Sequence, residues 1–150
     1  MTQPIDDQVR ITRVFDAPRA MVFQAFTDPE QMAQWFGPVG YSVPREEIVI
    51  ESRAGGRERI VMVKDDSGDR EELESVYTEV IPDEVIAGQG MDGQPGEGHF
   101  RFEFHDEPGG KTRLEITVWP FTGNEADELR EGWESSFPKL DRLLAASTGR

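Results

Sequence analysis

The amino-acid sequence predicts an α+β fold: a curved antiparallel sheet of about six to seven strands, two short helices after the first strand, and a long C-terminal helix packed across the sheet. Short segments of alternating apolar and polar residues fill the middle of the chain. The turns between them are too short for parallel crossovers. Near the C-terminus, apolar residues recur at helical spacing. Because a curved sheet cannot touch a straight helix evenly, we expect a ligand cavity between them.

A strand and a helix are predicted at the N-terminal end of the chain. Apolar residues at Val9, Ile11 and Phe15 alternate with mostly polar ones, which is typical of a half-buried strand. Asp16 then offers a helix N-cap, with Pro18 in the first turn. Apolar residues follow at helical spacing until the next proline, which predicts one short helix.

A second short helix is predicted directly after the first. Asp28 and Gln31 resemble a capping box, with Pro29 at the first helical position, and Gly37-Pro38 ends the segment. So short a helix makes few backbone hydrogen bonds and can open locally. We therefore expect it to act as a gate at the cavity mouth.

The middle of the chain predicts strands separated by turn residues. A polar hairpin loop is expected at residues 65–69 and a glycine-rich loop at residues 88–98. These loops divide a series of antiparallel strands. The predicted strands cover residues 41–52, 57–64, 73–81, 85–86, 100–104 and 114–118.

The last helix has an N-cap at Asn124 and an apolar stripe toward the sheet. The stripe consists of Leu129, Trp133, Phe137, Leu140 and Leu144. Gly132 and Pro138 are poor helix-interior residues, costing about 1 and 3 kcal/mol relative to alanine. We expect Gly132 to let the helix approach the sheet or a ligand closely, and Pro138 to bend the helix.

Composition narrows the classes of partner. The chain has 150 residues, with 16 Lys and Arg against 30 Asp and Glu, and a formal net charge of -14. This charge disfavours nucleic acid and anionic membrane surfaces. The chain has no cysteine, no signal-like N-terminal pattern and no apolar run of the ~20 residues that a membrane span needs. We expect one cytoplasmic domain over residues 1–150, flexible at residues 1–7 and 147–150, with no membrane insertion.

Five sequence blocks carry a family resemblance. The blocks are FDAPRAMVFQAFTDPEQMAQWFGP at 15–38, RAGGRERIVM at 53–62, SVYTEVIPDE at 75–84, GGKTRLEIT at 109–117 and EGW at 131–133. They resemble the activator of heat-shock-protein-90 ATPase homologue family, in the START-like, or SRPBCC, superfamily. The resemblance implies the helix-grip fold, which hosts lipid carriers, small-ligand binders, cyclases and co-chaperone domains. The chain departs from the family pattern at Gly88, near where an aromatic is common, and at Val118, near where a histidine is common.

Twelve residues are candidates for the lining of the cavity. Most are aromatic or methionine side chains, which suit an apolar small molecule, and Tyr77 adds a hydroxyl. They are Phe26, Met32, Trp35, Phe36, Met62, Tyr77, Phe100, Phe102, Phe104, Val118, Trp133 and Phe137.

The two histidines do not indicate a metal centre. His99 and His105 share strand parity with Glu103 and face water if the phenylalanines between them face the cavity. Glu103 and His105 could hold an adventitious ion, but further ligands are missing from the pattern. We predict no functional metal and no cofactor, and identify no catalytic residue.

Three functions remain open from the sequence. The leading hypothesis is binding of a small apolar or amphipathic molecule in the cavity. The family resemblance implies a second, a co-chaperone-like module with a chaperone as partner. The third is a cyclase- or hydrolase-like enzyme acting in the same cavity. For that role, two or more polar side chains should converge inside the pocket.

Overall fold

The structure of the protein is a computed structural model, which describes residues 8–90, 98–120 and 123–147. The expected flexible termini fall largely outside these residues, although Ser147 is the last residue of a helix. None of the described helices is both long and apolar enough to cross a bilayer.

Eight strands and three α-helices make up the described chain, in the predicted order. The helices are α1 (Arg19–Thr27), α2 (Pro29–Trp35) and α3 (Gly123–Ser147). The strands are β1 (Val9–Phe15), β2 (Tyr41–Ser42), β3 (Val49–Ile50), β4 (Arg57–Lys64), β5 (Arg70–Ile81), β6 (Val85–Gly90), β7 (His99–Glu107) and β8 (Lys111–Trp119).

All strand pairings are antiparallel, in the order β1-β8-β7-β6-β5-β4-β2, with β3 also paired to β4. The predicted fold class is confirmed. The predicted strand at residues 41–52 is wrong in detail, because it divides into two two-residue strands around a short 3-10 helix (Arg45–Glu47). Pro44 lies at the start of that helix and cannot donate a ladder hydrogen bond, which is one reason for the break.

The structure confirms one of the three N-caps that the sequence predicts. The Asp28 carboxylate accepts a hydrogen bond from the Glu30 N–H at 3.0 Å, which confirms the cap of α2. Asp16 is not the cap of α1, because Pro18 occupies that position and makes no side-chain cap bond. Asn124 lies inside α3, which begins at Gly123.

The three helices pack on one face of the sheet, where the core lies. On α3, the predicted stripe is confirmed: Phe137, Leu140 and Leu144 are buried, and Leu129 and Trp133 pack against the core. On α2, Trp35 is fully buried. Its indole N–H donates to the Ala25 carbonyl at 2.9 Å, which ties α2 to α1.

The opposite face of the sheet carries charged side chains. Arg101 pairs with Glu79 and Glu103, and Arg113 pairs with Glu107 and Glu115. Two of these ion pairs lie along one strand and two join different strands, and together they mark the solvent side of the sheet. The other face is therefore the one available to a cavity.

Candidate ligand cavity

A cavity of about 510 Å³ lies between the sheet and the helices. Its sheet wall is formed by side chains of β4, β5, β7 and β8: Ile60, Met62, Leu73, Phe100, Phe102 and Val118. Its helix wall is formed by Phe26 of α1, Met32 of α2, Phe36, and Leu129 and Trp133 of α3. The walls are therefore mainly aromatic and aliphatic.

The structure brings eight of the twelve candidate residues to this cavity. They are Phe26, Met32, Phe36, Met62, Phe100, Phe102, Val118 and Trp133. The other four are buried in the core and do not line it: Trp35, Tyr77, Phe104 and Phe137.

Packing by neighbouring elements explains why three of these four are excluded. Phe104 packs edge-on against Phe23 of α1 at 5.5 Å, beyond the end of the cavity. On α3, Phe137 lies one turn after Trp133 and packs edge-on against Phe15 of β1, also at 5.5 Å. Trp35 points its indole N–H into α1, as described above. Phe104 has the predicted inward parity, but α1 covers its stretch of the sheet.

Trp133 lies at the centre of the aromatic side chains around the cavity. Its ring centroid is 5.6 Å from that of Phe102 and 5.7 Å from that of Phe36, and both contacts are edge-to-face. It also stacks on Phe26 at 6.4 Å. Trp133 remains only half-buried because part of its surface faces the cavity.

A carboxyl group lies in the sheet wall. Glu58 of β4 pairs across the sheet with Ser75 and shares the inward parity of Ile60 and Met62. The hydroxyl of Tyr77 donates to Glu58 Oε2 at 2.9 Å. Glu58 is half-buried, and its remaining exposure is toward the cavity.

Burial beside one another shifts the pKa values of both Glu58 and Tyr77. Burial raises the pKa of Glu58 to about 7, and the hydrogen bond from Tyr77 acts in the opposite direction. Burial, followed by the charge of the Glu58 carboxylate, raises the pKa of Tyr77 well above its usual range. Glu58 therefore exchanges a proton near neutral pH.

Glu58 was missed at the sequence level, although a signal was present. Three other charged strand residues, Arg59, Glu79 and Glu115, are ion-paired on the outer face. Glu58 is two residues from Ile60, so alternation alone already placed it on the cavity side.

The remaining charged side chains toward the cavity lie at its rim. Glu71 of β5 and Glu125 and Glu128 of α3 are exposed and line the mouth. Glu74 and His99 also border the cavity, but their side chains point to the other face. Glu74 pairs with Arg57, and His99 stacks on Trp119 at 5.3 Å. No lysine or arginine is among the described residues that line the cavity.

The glycine at position 88 makes room for an aromatic wall residue. A Cβ there would lie 2.7 Å from the ring of Phe100 and 2.7 Å from the Val76 carbonyl oxygen. Phe100 in turn stacks on Phe102 at 5.2 Å. An aromatic side chain from β7 thus covers the sheet at Gly88.

The segment after α2 is attached to α3 by hydrogen bonds. The Val39 N–H donates to Ser135 Oγ at 3.1 Å. Lys139 Nζ donates to the Gly37 carbonyl at 2.7 Å, and Ser136 Oγ lies 2.7 Å from the same oxygen. We call this set of bonds the α3 clamp. It holds one side of the cavity mouth against the long helix.

Gly132 does not play the predicted role. A Cβ at Gly132 would have Pro38 as its nearest described neighbour, at an ordinary 3.5 Å, so close approach to the sheet is not the reason for the glycine. Pro138 and Glu134 are both exposed, so water can bond the Glu134 carbonyl that lacks its usual partner. The bend at Pro138 stays a prediction.

A second carboxylate, that of Glu115, lies beside Glu103 and His105. Together with Glu115 they place three potential ligand atoms within 4.8 Å of one another on the outer face. Arg101 and Arg113 already bond these two carboxylates. The cations compete with any metal ion, so this group does not change our prediction of no functional metal.

Comparisons with known proteins agree with this architecture. The family model described as Activator of Hsp90 ATPase homolog 1-like protein matches residues 16–145. A Chromobacterium violaceum protein structure has 24% identity and a TM-score of 0.82, covering 92% of this chain and 96% of that one. A Nitrosomonas europaea structure has 20% identity and a TM-score of 0.83, covering 99% and 100%. The AHSA1 protein from Silicibacter pomeroyi has 27% identity and a TM-score of 0.77, covering 93% and 99%.

No curated protein matches the chain. The structural neighbours below 25% identity show the fold alone. The family model, by contrast, covers most of the sequence and includes the residues on both walls of the cavity. The chain has the START-like helix-grip fold and belongs to the family of Activator of Hsp90 ATPase homolog 1-like proteins.

Proposed function

We propose that this protein binds a small apolar or amphipathic molecule in the cavity between the curved sheet and α3. The observation that carries the proposal is the cavity itself, about 510 Å³ with mainly aromatic and aliphatic walls. Ligand pockets typically enclose about 300 to 1,000 Å³ and combine apolar walls with a few polar groups. Glu58 and Ser75, side by side on the sheet wall, are such polar groups.

An enzymatic role is the weaker alternative. Glu58, with its pKa near 7, suits proton transfer, and the cavity wall is not entirely apolar. Its hydrogen-bond partner Tyr77 lies behind it in the core and not in the lining. Glu58 and Ser75 meet the expectation of two polar side chains inside the pocket, but of the two only Glu58 is ionisable, which supports recognition of a polar atom more directly than a reaction.

A co-chaperone role is the second candidate, supported by the description of the family. Large exposed hydrophobic residues lie on four separate segments: Val14, Val39, Val49 and Ile81. Val14 is on the β1 edge of the sheet and Val49 is near the opposite edge. Adding the protein to a chaperone of the Hsp90 class and measuring ATP hydrolysis tests this role, and stimulation would support it.

The location of the protein is part of the same proposal. We propose a cytoplasmic protein, since a chain with no cysteine fits a reducing compartment.

Titration with a neutral fluorescent probe, N-phenylnaphthylamine, tests the binding proposal. We expect saturable enhancement of its fluorescence by the wild-type protein. Ser75→Trp places an indole in the cavity and should weaken probe binding by about tenfold or more. Val76→Trp is the matched control, because Val76 is the next residue on β5 and has the opposite parity.

Equal binding by the two tryptophan variants would contradict a site in the cavity. Absence of saturable binding to the wild type would contradict the proposal as a whole. Thermal unfolding of each variant shows whether the substitutions leave the fold intact.

A further inference from the structure

We propose that the cavity selects a hydrophobic cation, a molecule in which a protonated amine is joined to an apolar body. This inference rests on the proposed binding function and names the ligand class. It is carried by the position of Glu58 in an aromatic cavity whose described lining has carboxylates but no lysine or arginine.

The carboxyl in the wall provides a specific partner for an ammonium group. Tyr77 bonds Glu58 Oε2 and fixes the orientation of the carboxyl. Among the described residues, Tyr77 is the only hydrogen-bond partner of the Glu58 side chain. Glu58 Oε1 can therefore accept a hydrogen bond from a ligand. An ammonium donor bound to an ionised carboxylate makes one of the stronger hydrogen bonds available to proteins.

Charges around the mouth favour the same class. Three exposed carboxylates lie on the rim: Glu71 on the sheet side, and Glu125 and Glu128 on the helix side. A cleft lined by charges of one sign concentrates counter-ions and repels ions of its own sign. The formal net charge of -14 adds to this effect. An anionic amphiphile, such as a fatty acid, is therefore disfavoured at the entrance and again at the wall.

The aromatic walls also favour a cation. The faces of Trp, Tyr and Phe rings attract ammonium groups within about 6 Å of the ring centroid. Trp133 and Phe102 lie on opposite walls, with centroids 5.6 Å apart, and both line the cavity. The apolar body of the ligand can pack on the same rings. The aromatic walls therefore suit both the ammonium group and the apolar body.

The protonation of Glu58 gives this inference a pH signature. An ammonium ligand binds the ionised carboxylate, which is the minor form below pH 7 because burial raises the pKa of Glu58 to about 7. Affinity should therefore rise with pH, by up to about thirtyfold between pH 5.5 and 8, and level off above that. Other titratable side chains along the cavity are Tyr41, the rim carboxylates and, bordering it, Glu74 and His99.

Three probes with one skeleton test the charge preference. Naphthylethylamine is the cation, naphthylethanol the neutral analogue and naphthylacetate the anion, and binding is measured by isothermal titration calorimetry. We expect the amine to bind about tenfold tighter than the alcohol, and the acetate to bind more weakly than the alcohol. The Glu58→Gln variant, which keeps an acceptor oxygen for Tyr77, should lose most of the preference for the amine over the alcohol and lose the pH dependence.

The matched control is Glu79→Gln, which removes one charge from the outer face of β5. It should keep the preference for the amine. Equal binding of amine and alcohol by the wild type would overturn the inference and leave the proposed function intact. An amine affinity that does not change with pH would also overturn the role of Glu58, whether or not Glu58→Gln folds. Failure of all three probes to bind would contradict the proposed function itself.

Discussion

Trp133 and Leu140 lie on the same stripe of α3 but have different surroundings. Leu140 is fully buried, whereas Trp133 borders the cavity. We expect Leu140→Ala to lower the free energy of unfolding by about 2 to 5 kcal/mol. Trp133→Ala should lower it by less than the roughly 3 to 5 kcal/mol typical of a tryptophan packed on all sides.

Urea denaturation and probe titration of both variants check this contrast. Trp133→Ala should weaken binding of N-phenylnaphthylamine more than it weakens the fold, and Leu140→Ala should do the reverse. Equal destabilisation with unchanged binding would show that Trp133 is an ordinary core residue.

Glu58 also predicts a pH dependence of stability. Its pKa is raised from 4.5 to about 7 in the folded state, so the folded protein holds this proton more tightly than the unfolded chain. The contribution of this proton to the free energy of unfolding is therefore complete below the pKa of Glu58 in the unfolded chain. It is lost as pH rises through the pKa of Glu58 in the folded protein. Glu58→Gln should flatten the decline in the free energy of unfolding between about pH 4.5 and 7, measured by urea denaturation. A steeper decline in the variant would contradict this assignment.

At the residue scale, alternation predicted most of the cavity wall. The parity of Phe100 and Phe102 on β7 came directly from the sequence. Glu58 did not, because burying a carboxyl is costly and a charged strand residue ordinarily belongs on the solvent side. The Tyr77 hydroxyl that accompanies it is brought close by the pairing of β4 and β5, which one strand alone does not reveal.

At the scale of the elements, two glycines on facing parts of the structure should respond in opposite ways to the same substitution. Gly88→Ala places a methyl group 2.7 Å from Phe100 and from a backbone oxygen, so we expect a loss of about 1 to 3 kcal/mol from overpacking. Among the described residues, the new methyl group of Gly132→Ala meets only Pro38, at 3.5 Å, and this variant should gain up to about 1 kcal/mol from helix propensity. Thermal and urea unfolding of the two variants measure this difference. A destabilised Gly132→Ala would show that α3 needs the glycine.

The short helix α2 predicts local opening, and the α3 clamp limits it. Residues 28–38 have few backbone bonds and should exchange amide hydrogens faster than residues 125–144. Lys139→Met removes one clamp bond to the Gly37 carbonyl and should speed exchange at residues 37–41. Hydrogen exchange followed by mass spectrometry measures both. Equal protection of the two segments would remove the gate idea.

Helix and strand positions were predictable where periodicity is sustained, and less so where it is not. All five residues of the predicted α3 stripe are buried or packed against the core, where Ala126 and Leu143 join them. Residues 41–52 contain β-branched residues suited to a strand, yet Pro44 and the short 3-10 helix after it interrupt the ladder. The cap of α1 was misplaced because Asp16 fits the sequence preference, whereas Pro18 immediately precedes the helix.

At the scale of the whole molecule, the curved sheet and α3 produce the feature on which the account depends. Their side chains pack closely where Phe137 and Leu140 are buried, and they leave a cavity beside Trp133. The sequence predicted such a gap from the order of elements alone. Its volume and its acidic rim depend on how β5 and α3 face each other, which only the assembled fold shows.

Methionine methyl groups provide the most direct test of the central claim that this gap is a binding site. Met32 and Met62 line the cavity from opposite walls, whereas Met21 packs against the core without lining it. With isotope-labelled methionine, we would titrate naphthylethanol and follow the methyl signals by NMR. The account predicts saturable shifts of Met32 and Met62 with one common affinity and little change at Met21. Shifts at Met21 alone, or no saturable shift at Met32 and Met62, would contradict it.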